Sequence, residues 1–150
     1  MKRKWHVSAA ITALTISFLS MFSATKGVGA EITITVTSVH SDAGDIYARL
    51  FNNSEGFPDD DTHAHQTAKV SSVKGTVKLV FNKIPPGKYA IAIYHDENGN
   101  GKMDTNFLGI PKDGYGVSND AVQHRSKPSF GAAEIDVADV TTDTLIPMHY

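Results

Sequence analysis

The chain contains no cysteine and only one tryptophan among its 150 residues. The absence of cysteine excludes a disulfide framework, a lipoprotein acylation site and a thiol nucleophile. The sequence also lacks a Gly-x-Ser-x-Gly elbow, and no spacing suggests a Ser-His-Asp set. The chain therefore has no recognisable catalytic constellation, and we expect it not to be an enzyme.

The first 30 residues differ in character from the rest of the chain. A basic start at residues 2–4 precedes an apolar run at residues 7–22, and small residues at 28–30 suit cleavage before Glu31. This pattern predicts a signal peptide over residues 1–30 and export to the periplasm or the extracellular space. The alternative is a retained membrane anchor, but the run is interrupted by serine and threonine and is short for a span of about 20 residues. We expect cleavage, and no stable membrane insertion afterwards.

Basic residues are scarce once the leader is removed. Ten of the fourteen lysines and arginines then remain against all sixteen acidic residues, which gives a net charge of −6. An acidic chain without a Lys/Arg cluster argues against nucleic acid or an anionic membrane as a partner. Residues 31–150 are long enough for one domain with a single core.

Short alternating apolar stretches dominate residues 31–150, and no amphipathic helix is evident. The predicted strands cover residues 31–39, 45–52, 68–73, 76–81, 89–94, 129–137 and 142–150. About seven strands at this spacing, without crossover helices, predict an all-β fold. We expect a single antiparallel β-sandwich of the Ig-like or prealbumin-like kind. A partly open barrel is the alternative, because strand count does not separate the two.

A calcium-loop spacing interrupts the late strands. Oxygen-bearing side chains occupy loop positions 1, 3, 5 and 9, a backbone carbonyl is available at position 7, and glycine stands at position 6. These are Asp96, Asn98, Asn100, Asp104, the Lys102 carbonyl and Gly101. Two of the side chains are neutral amides, which predicts a weak Ca²⁺ site with a dissociation constant of about 0.1 to 1 mM.

The loop pattern is incomplete, because Phe107 stands at position 12 where a bidentate glutamate is usual. One interpretation is a metal-free polar turn, since Asn-Gly dipeptides favour tight turns. The other is a calcium loop completed from residues 109–120. In that case Asp113 or Asp120 supplies the missing carboxylate, with Asp113 preferred, and Phe107 is expected to anchor in the core beneath the loop.

The glycine-rich stretch after the loop admits a further interpretation. Tyr115 and the neighbouring glycines are able to line a ligand groove, with Ser118 and Asn119 supplying hydrogen bonds. No clean helical or strand periodicity is visible over residues 107–128.

Histidines offer two further candidate sites. His95 adjoins Asp96, but neighbours on a strand point to opposite faces, so His95 is either a packing residue or a general base. His63 and His65 alternate in an acidic loop, where they are either transition-metal ligands or solvated side chains, and no third ligand can be named.

The loop and its sequel together carry a family resemblance. The runs HDENGNGKMDTN at 95–106, LGIP at 108–111, DGYG at 113–116 and Ser118-Asn119 resemble the secreted bacterial family numbered 2141 among domains of unknown function. Val117 and Asp113 depart from the phenylalanine and glutamate common there. The resemblance covers essentially all of residues 31–150 and implies export and a β-sandwich, but no activity. Residues 81–89 also resemble a hairpin of prealbumin-like and collagen-adhesin B-type domains.

Two functional hypotheses follow. In the first, an exported non-catalytic domain uses Ca²⁺ to stabilise the excursion at residues 95–120 and so presents a surface to an unknown protein or glycan partner. In the second, a metal-assisted hydrolase uses His95, Asp96 and nearby acids. A catalytic metal keeps an open coordination position, whereas a structural ion is enclosed, and oxygen-rich loops favour calcium over the better water activator zinc. We therefore favour the first hypothesis.

Overall fold

The computed structural model describes residues 29–123 and 126–150, so the predicted signal peptide lies outside the described residues except for its last two positions. The described residues form eight strands and one short α-helix, α1, with 3₁₀ turns at Asp61–His63 and Ser118–Asp120. The elements are β1 Ala30–Val39, β2 Asp45–Phe51, β3 Gln66–Ser71, β4 Gly75–Ile84, β5 Gly87–Asp96, β6 Gly114–Val117, α1 Phe130–Ala133, β7 Glu134–Val137 and β8 Thr142–Pro147. No helix among the described residues has the length and apolarity needed to cross a membrane.

The strands form two sheets that face each other as a sandwich, as the sequence predicts. One sheet has three strands in the order β4-β1-β8, and the other has five, in the order β3-β2-β5-β6 with β7 also paired to β5. Among the described residues, five of the six strand pairs are antiparallel, whereas β1 and β8 run parallel, with Ile34 opposite Thr144. The predicted β-sandwich is therefore confirmed, and this pair alone among the described strand pairs departs from antiparallel pairing; the chain reaches β8 by crossing from β7 in the other sheet.

The period-2 pattern of β1 places every second side chain in the core. Ile32, Ile34 and Val36 are fully buried, whereas the threonines between them are only partly covered. They pack with the inward residues of the facing sheet, which include Ile46, Leu50 and Ile91. Alternation of this kind buries one face of a sheet and leaves the other in contact with water.

Strand β5 is buried along almost its whole length, on both faces. From Tyr89 to Asp96 no residue exceeds 5% exposure. Its inner face joins the main core, and its outer face is covered by a second apolar cluster that includes Phe51, Val117 and Ala133. This double cover makes β5 a fixed support for the loop that follows it.

The turn between β1 and β2 passes very close to the end of β5. Gly44 has a φ of +68°, and a Cβ at this position would lie 1.9 Å from the carbonyl oxygen of Asp96. Only glycine satisfies both requirements, because other residues are disfavoured at positive φ and carry the atom that would clash. The turn is thereby held against the start of the loop.

Candidate metal centre

Asp96 organises the loop through its carboxylate. The side chain is almost completely buried, and its Oδ1 accepts the backbone N–H groups of Gly99 and Asn100 at 2.9 and 3.1 Å. Its Oδ2 accepts the N–H of Gly101 at 2.7 Å. A carboxylate has about four acceptor positions, so one position on Oδ2 is left for a further partner.

The other oxygen-bearing side chains of the loop converge on Asp104. The Asn98 amide donates to Asp104 at 2.6 Å, and the Asn100 amide donates to both of its oxygens at 3.0 Å. The hydrogen bonds from Asn100 and then Asn98 lower the pKa of Asp104. Each amide oxygen accepts one backbone N–H, that of Asn100 or Lys102, and keeps a second lone pair.

Asp113 joins the loop from outside it. Its Oδ2 accepts the Asp104 N–H at 2.7 Å, and nearby the Lys112 N–H donates to the Asp104 carbonyl at 2.8 Å. Burial raises the pKa of Asp113, and the negative charges of Asp104, Asp96 and Glu97 raise it further. The hydrogen bond from the Asp104 N–H lowers this pKa and so opposes the increase. Asp113 therefore sits among other carboxylates that disfavour its negative charge.

The residue at loop position 12 does not behave as expected. Phe107 is 94% exposed, so the expectation that it anchors in the core beneath the loop is wrong. The reason is a local turn: the Asn106 side-chain oxygen accepts the N–H groups of Leu108 and Ile110, while Thr105 and Pro111 form a bridge. This turn carries Phe107 away from the sheet.

His95 is held as a packing residue. It is fully buried, with Nε2 2.7 Å from the Ala43 carbonyl oxygen and Nδ1 2.8 Å from the Tyr150 hydroxyl. Because a carbonyl only accepts, Nε2 carries the proton and Nδ1 accepts from the tyrosine. Tyr150 Oη in turn accepts the His40 N–H at 3.0 Å. Both ring nitrogens are thus engaged with protein groups, which favours the packing interpretation.

Removal of the Tyr150 hydroxyl tests this chain of bonds. Tyr150→Phe keeps the ring, which stacks on His40 at 3.5 Å, and deletes only the link between the His40 N–H and His95. We expect the free energy of unfolding to fall by about 1 kcal/mol, the net contribution of a typical hydrogen bond. Urea unfolding of both proteins measures the difference, and an unchanged midpoint would contradict the linking role of the hydroxyl.

His63 and His65 do not share partners. Nδ1 of His63 lies 2.9 Å from the Asp60 carboxylate and Nε2 lies 3.2 Å from Glu55, whereas Nδ1 of His65 lies 3.5 Å from the Asn52 amide nitrogen. These contacts favour a solvated acidic loop. Across residues 29–123 and 126–150, no group of three His, Cys, Asp or Glu side chains is placed to hold a metal ion.

The Asp60–His63 pair gives a pH prediction. Hydrogen bonds from Thr62, and then from His63, lower the pKa of Asp60 to about 2, and the bond to Asp60 raises the pKa of His63 above 6.5. The contribution of Asp60 to stability is lost as pH falls from its ordinary pKa of 3.8 towards about 2. That of His63 is lost as pH rises above 6.5 through the raised value.

An NMR titration of the His63 ring checks this prediction. We expect a pKa above 6.5 in the native protein and a decrease towards 6.5 in Asp60→Asn, because the largest cause of the shift is then removed. A His63 pKa that is equal in the two proteins would show that the pair does not form in solution.

The stretch after the loop divides between the two interpretations offered by the sequence. Asp113 reaches the loop, whereas the Asp120 carboxylate binds His149 at 2.7 Å. Ser118 is fully buried and donates to the Ala133 carbonyl, and Asn119 donates to Glu134 O at 2.8 Å. Both side chains therefore hold neighbouring backbone segments together, and the buried Ser118 hydroxyl is not accessible to a ligand.

Two residues that matter here escaped the sequence analysis. Tyr150 lies 55 positions from His95, so no local pattern connects them. Arg49 is a buried charge on the outer face of β2, where it pairs with Asp61 and lies 4.5 Å from the ring centre of Tyr94. The available signal was a single arginine within an otherwise apolar strand.

The structure is a small β-sandwich domain. The polar side chains of the loop lie close together after the end of β5, where Asp113 also contacts the loop. The model of the family described as "Uncharacterized protein conserved in bacteria (DUF2141)" matches residues 34–144, so the chain belongs to this family, as the resemblance implies. No curated protein and no solved structure is significantly similar to the chain.

Proposed function

We propose that residues 96–104 together with Asp113 bind a structural Ca²⁺ ion in an exported, non-catalytic β-sandwich domain. The observation that carries the proposal is the hydrogen bond from the Asp104 N–H to Asp113, which holds a third carboxylate beside the loop. The carboxylates of Asp96, Asp104 and Asp113 do not surround one point in the described structure, so binding would draw them together. With the Asn98 and Asn100 amides and the Lys102 carbonyl, six oxygen donors belong to this segment. Six is the lower limit of the six to eight oxygens that Ca²⁺ takes.

Electrostatics supports an ion at this position. The pKa of Asp113 is raised first by burial and then by the charges of Asp104, Asp96 and Glu97. A bound cation reverses such shifts, because it favours the ionised form of each carboxylate. In the structure, the side-chain amide groups of Asn98 and Asn100 donate hydrogen bonds to Asp104. Binding therefore requires that their oxygens turn towards the ion.

Asp113→Asn tests the proposed shell by calorimetric titration with CaCl₂. Asparagine retains an oxygen that is able to accept the Asp104 N–H, so the change removes charge more than structure. We expect the affinity for Ca²⁺ to fall about tenfold, since charge count and supporting contacts tune such sites.

Two matched variants make the result specific. Asp139→Asn changes the net charge equally at an exposed position and should leave the affinity unchanged. Asp120→Asn tests the other carboxylate that the sequence offers. A tenfold loss in Asp120→Asn with none in Asp113→Asn would transfer the ligand role to Asp120, and equal affinities in all four proteins would remove Asp113 from the shell.

The environment of His95 supports a non-catalytic role. A general base must reach the proton that it removes, yet His95 is fully buried and both ring nitrogens are already bonded to Tyr150 and Ala43. A hydrolase that used His95 as its base would have to break both of these bonds.

The surface proposed for partner binding is the apolar tip formed by Phe107, Leu108 and Ile110. These side chains are 94%, 68% and 53% exposed, and they belong to the turn that directly follows the calcium loop. Contiguous exposed apolar residues of this kind mark interaction sites. A protein partner fits such a tip best, and a glycan is the alternative. An ion in the loop would hold the tip in one position.

A further inference from the structure

A cavity of about 480 Å³ lies on the outer face of the five-stranded sheet. Its lining includes Ala92 and Val117 from β5 and β6, Met103 and Ile110 from the excursion, and Pro128 from the segment before α1. The volume is within the range of about 300 to 1,000 Å³ that is usual for small-molecule sites. Most of these side chains are apolar, so the cavity suits the apolar part of a ligand.

Arg49 supplies a buried cation to this cavity. Its residue exposure is 5%, and it lines the cavity from β2, where it lies opposite Ala92 of β5. The Nε–H donates to Asp61 and the guanidinium lies over the Tyr94 ring, but among the described residues neither terminal amino group has a hydrogen-bond partner. A guanidinium carries five N–H donors, four of them on these two groups. The end of Arg49 that has no partner among the described residues therefore offers a fork suited to a carboxylate.

The charge balance of the described lining residues favours a ligand with one negative charge. Asp61 already offsets part of the Arg49 charge, and the other cation in the lining, Lys127, pairs with Asp59 at 2.7 Å. A polyanion such as a nucleotide would find no further free cation among the described lining residues. A monocarboxylate needs only the guanidinium.

We propose that this cavity binds a medium-chain alkyl carboxylate, with the carboxylate on Arg49 and the chain against the apolar lining. Leu108 and Ile110 at the mouth are 68% and 53% exposed although they line the cavity, and an alkyl chain would cover them. The cavity shares Met103 with the loop of the proposed calcium site, but the Arg49 guanidinium comes from β2 and is not part of that loop.

Calorimetric titration with decanoate, below its aggregation concentration and at one fixed calcium level, tests this site. The neutral 1-decanol has the same chain length without the charge. We expect decanoate to bind the purified protein at least about tenfold more tightly than decanol, because only decanoate makes the charge-assisted fork. An absence of decanoate binding, or equal affinities for the two compounds, would overturn the proposal.

Variants of the protein test the contact with the carboxylate of decanoate separately from the contact with its alkyl chain. Arg49→Gln should lower the affinity for decanoate about tenfold and leave that for decanol unchanged, and Arg49→Lys should recover only part of the loss. Lys78→Gln removes an exposed charge on the other sheet and should have no effect. If Arg49→Gln does not fold, Leu108→Glu, at an exposed position on the mouth, should also weaken decanoate binding. Unchanged binding in Leu108→Glu and in the folded Arg49 variants would contradict the site.

Discussion

Replacement of His95 by alanine is expected to lower the free energy of unfolding by about 3 to 5 kcal/mol, as for other large side chains truncated in a core. His95 is fully buried at the end of β5, with Tyr150 against its ring at a centroid distance of 6.0 Å. The truncation leaves a cavity that the fixed strand cannot close. The loss of stability should be accompanied by faster local exchange of the backbone amides of the adjoining turn.

Packing, more than hydrogen bonding, should dominate this effect. The two bonds of His95 contribute about 1 kcal/mol each, and their partners, Ala43 and Tyr150, are both exposed enough to accept water in the variant. The cavity therefore accounts for most of the cost. Adding Tyr150→Phe to His95→Ala should then cost less than Tyr150→Phe alone, since the bond between them is already absent.

Urea unfolding measures the effect, with His65→Ala as the matched control. His65 is exposed, so the same substitution there should change the free energy of unfolding by less than about 1 kcal/mol. If both variants unfold at the wild-type midpoint, the burial of His95 in the native protein would be contradicted.

The strands were predictable because their burial pattern is local. In β1 the apolar side chains alternate with threonines, and in β5 the unbroken apolar run reflects cover on both faces. Both faces of β2 are covered as well, since Ile46 and Leu50 face the core and Arg49 and Phe51 are buried on the other side. Alternation in sequence and alternation in space are the same property of a pleated strand.

Strand β6 escaped prediction because its stability comes from distant residues. It has four residues, two of them glycines, and a Cβ at Gly116 would lie 2.5 Å from the Pro147 carbonyl oxygen. Glycine at this position allows the C-terminal segment around Pro147 to pack closely against β6. The local sequence does not indicate this contact. Similarly, the predicted strand at 129–137 begins as helix α1, capped by the Ser129 hydroxyl, and only Glu134–Val137 is extended.

The candidate site also combines contacts that the local sequence indicates with contacts that it does not. The contacts within residues 96–104 join positions two to six apart, so their spacing was visible in the sequence. The hydrogen bond from the Asp104 N–H to Asp113 joins residues nine positions apart, and no local spacing indicates it. The sequence points to Asp113 only as a ligand for an incomplete shell, and that role stays a prediction. The prediction that Phe107 is buried is wrong because the Asn106 side chain accepts the N–H groups of Leu108 and Ile110 and so forms a separate turn. The spacing of a calcium loop does not indicate this turn.

Calcium is expected to raise the thermal stability of residues 31–150. An ion that binds only the folded state contributes about 1.4 kcal/mol at a tenfold excess over its dissociation constant and about 2.7 kcal/mol at a hundredfold excess. For a domain of this size these increments correspond to increases of about 5 and 10 °C in Tm. Differential scanning calorimetry in chelator, and then from micromolar to several millimolar CaCl₂, measures the rise.

The pattern of controls decides what the rise means. Mg²⁺ demands near-ideal octahedral geometry and releases water reluctantly, so MgCl₂ should raise Tm much less than CaCl₂ at equal ionic strength. In Asp113→Asn the calcium response should move to higher concentrations, while Asp139→Asn should follow the wild type. If Tm stays constant through millimolar calcium, residues 96–104 are a polar turn closed by the amides of Asn98 and Asn100 on Asp104. That outcome would not by itself exclude carboxylate binding at Arg49, because the guanidinium is supplied by β2 and not by the loop.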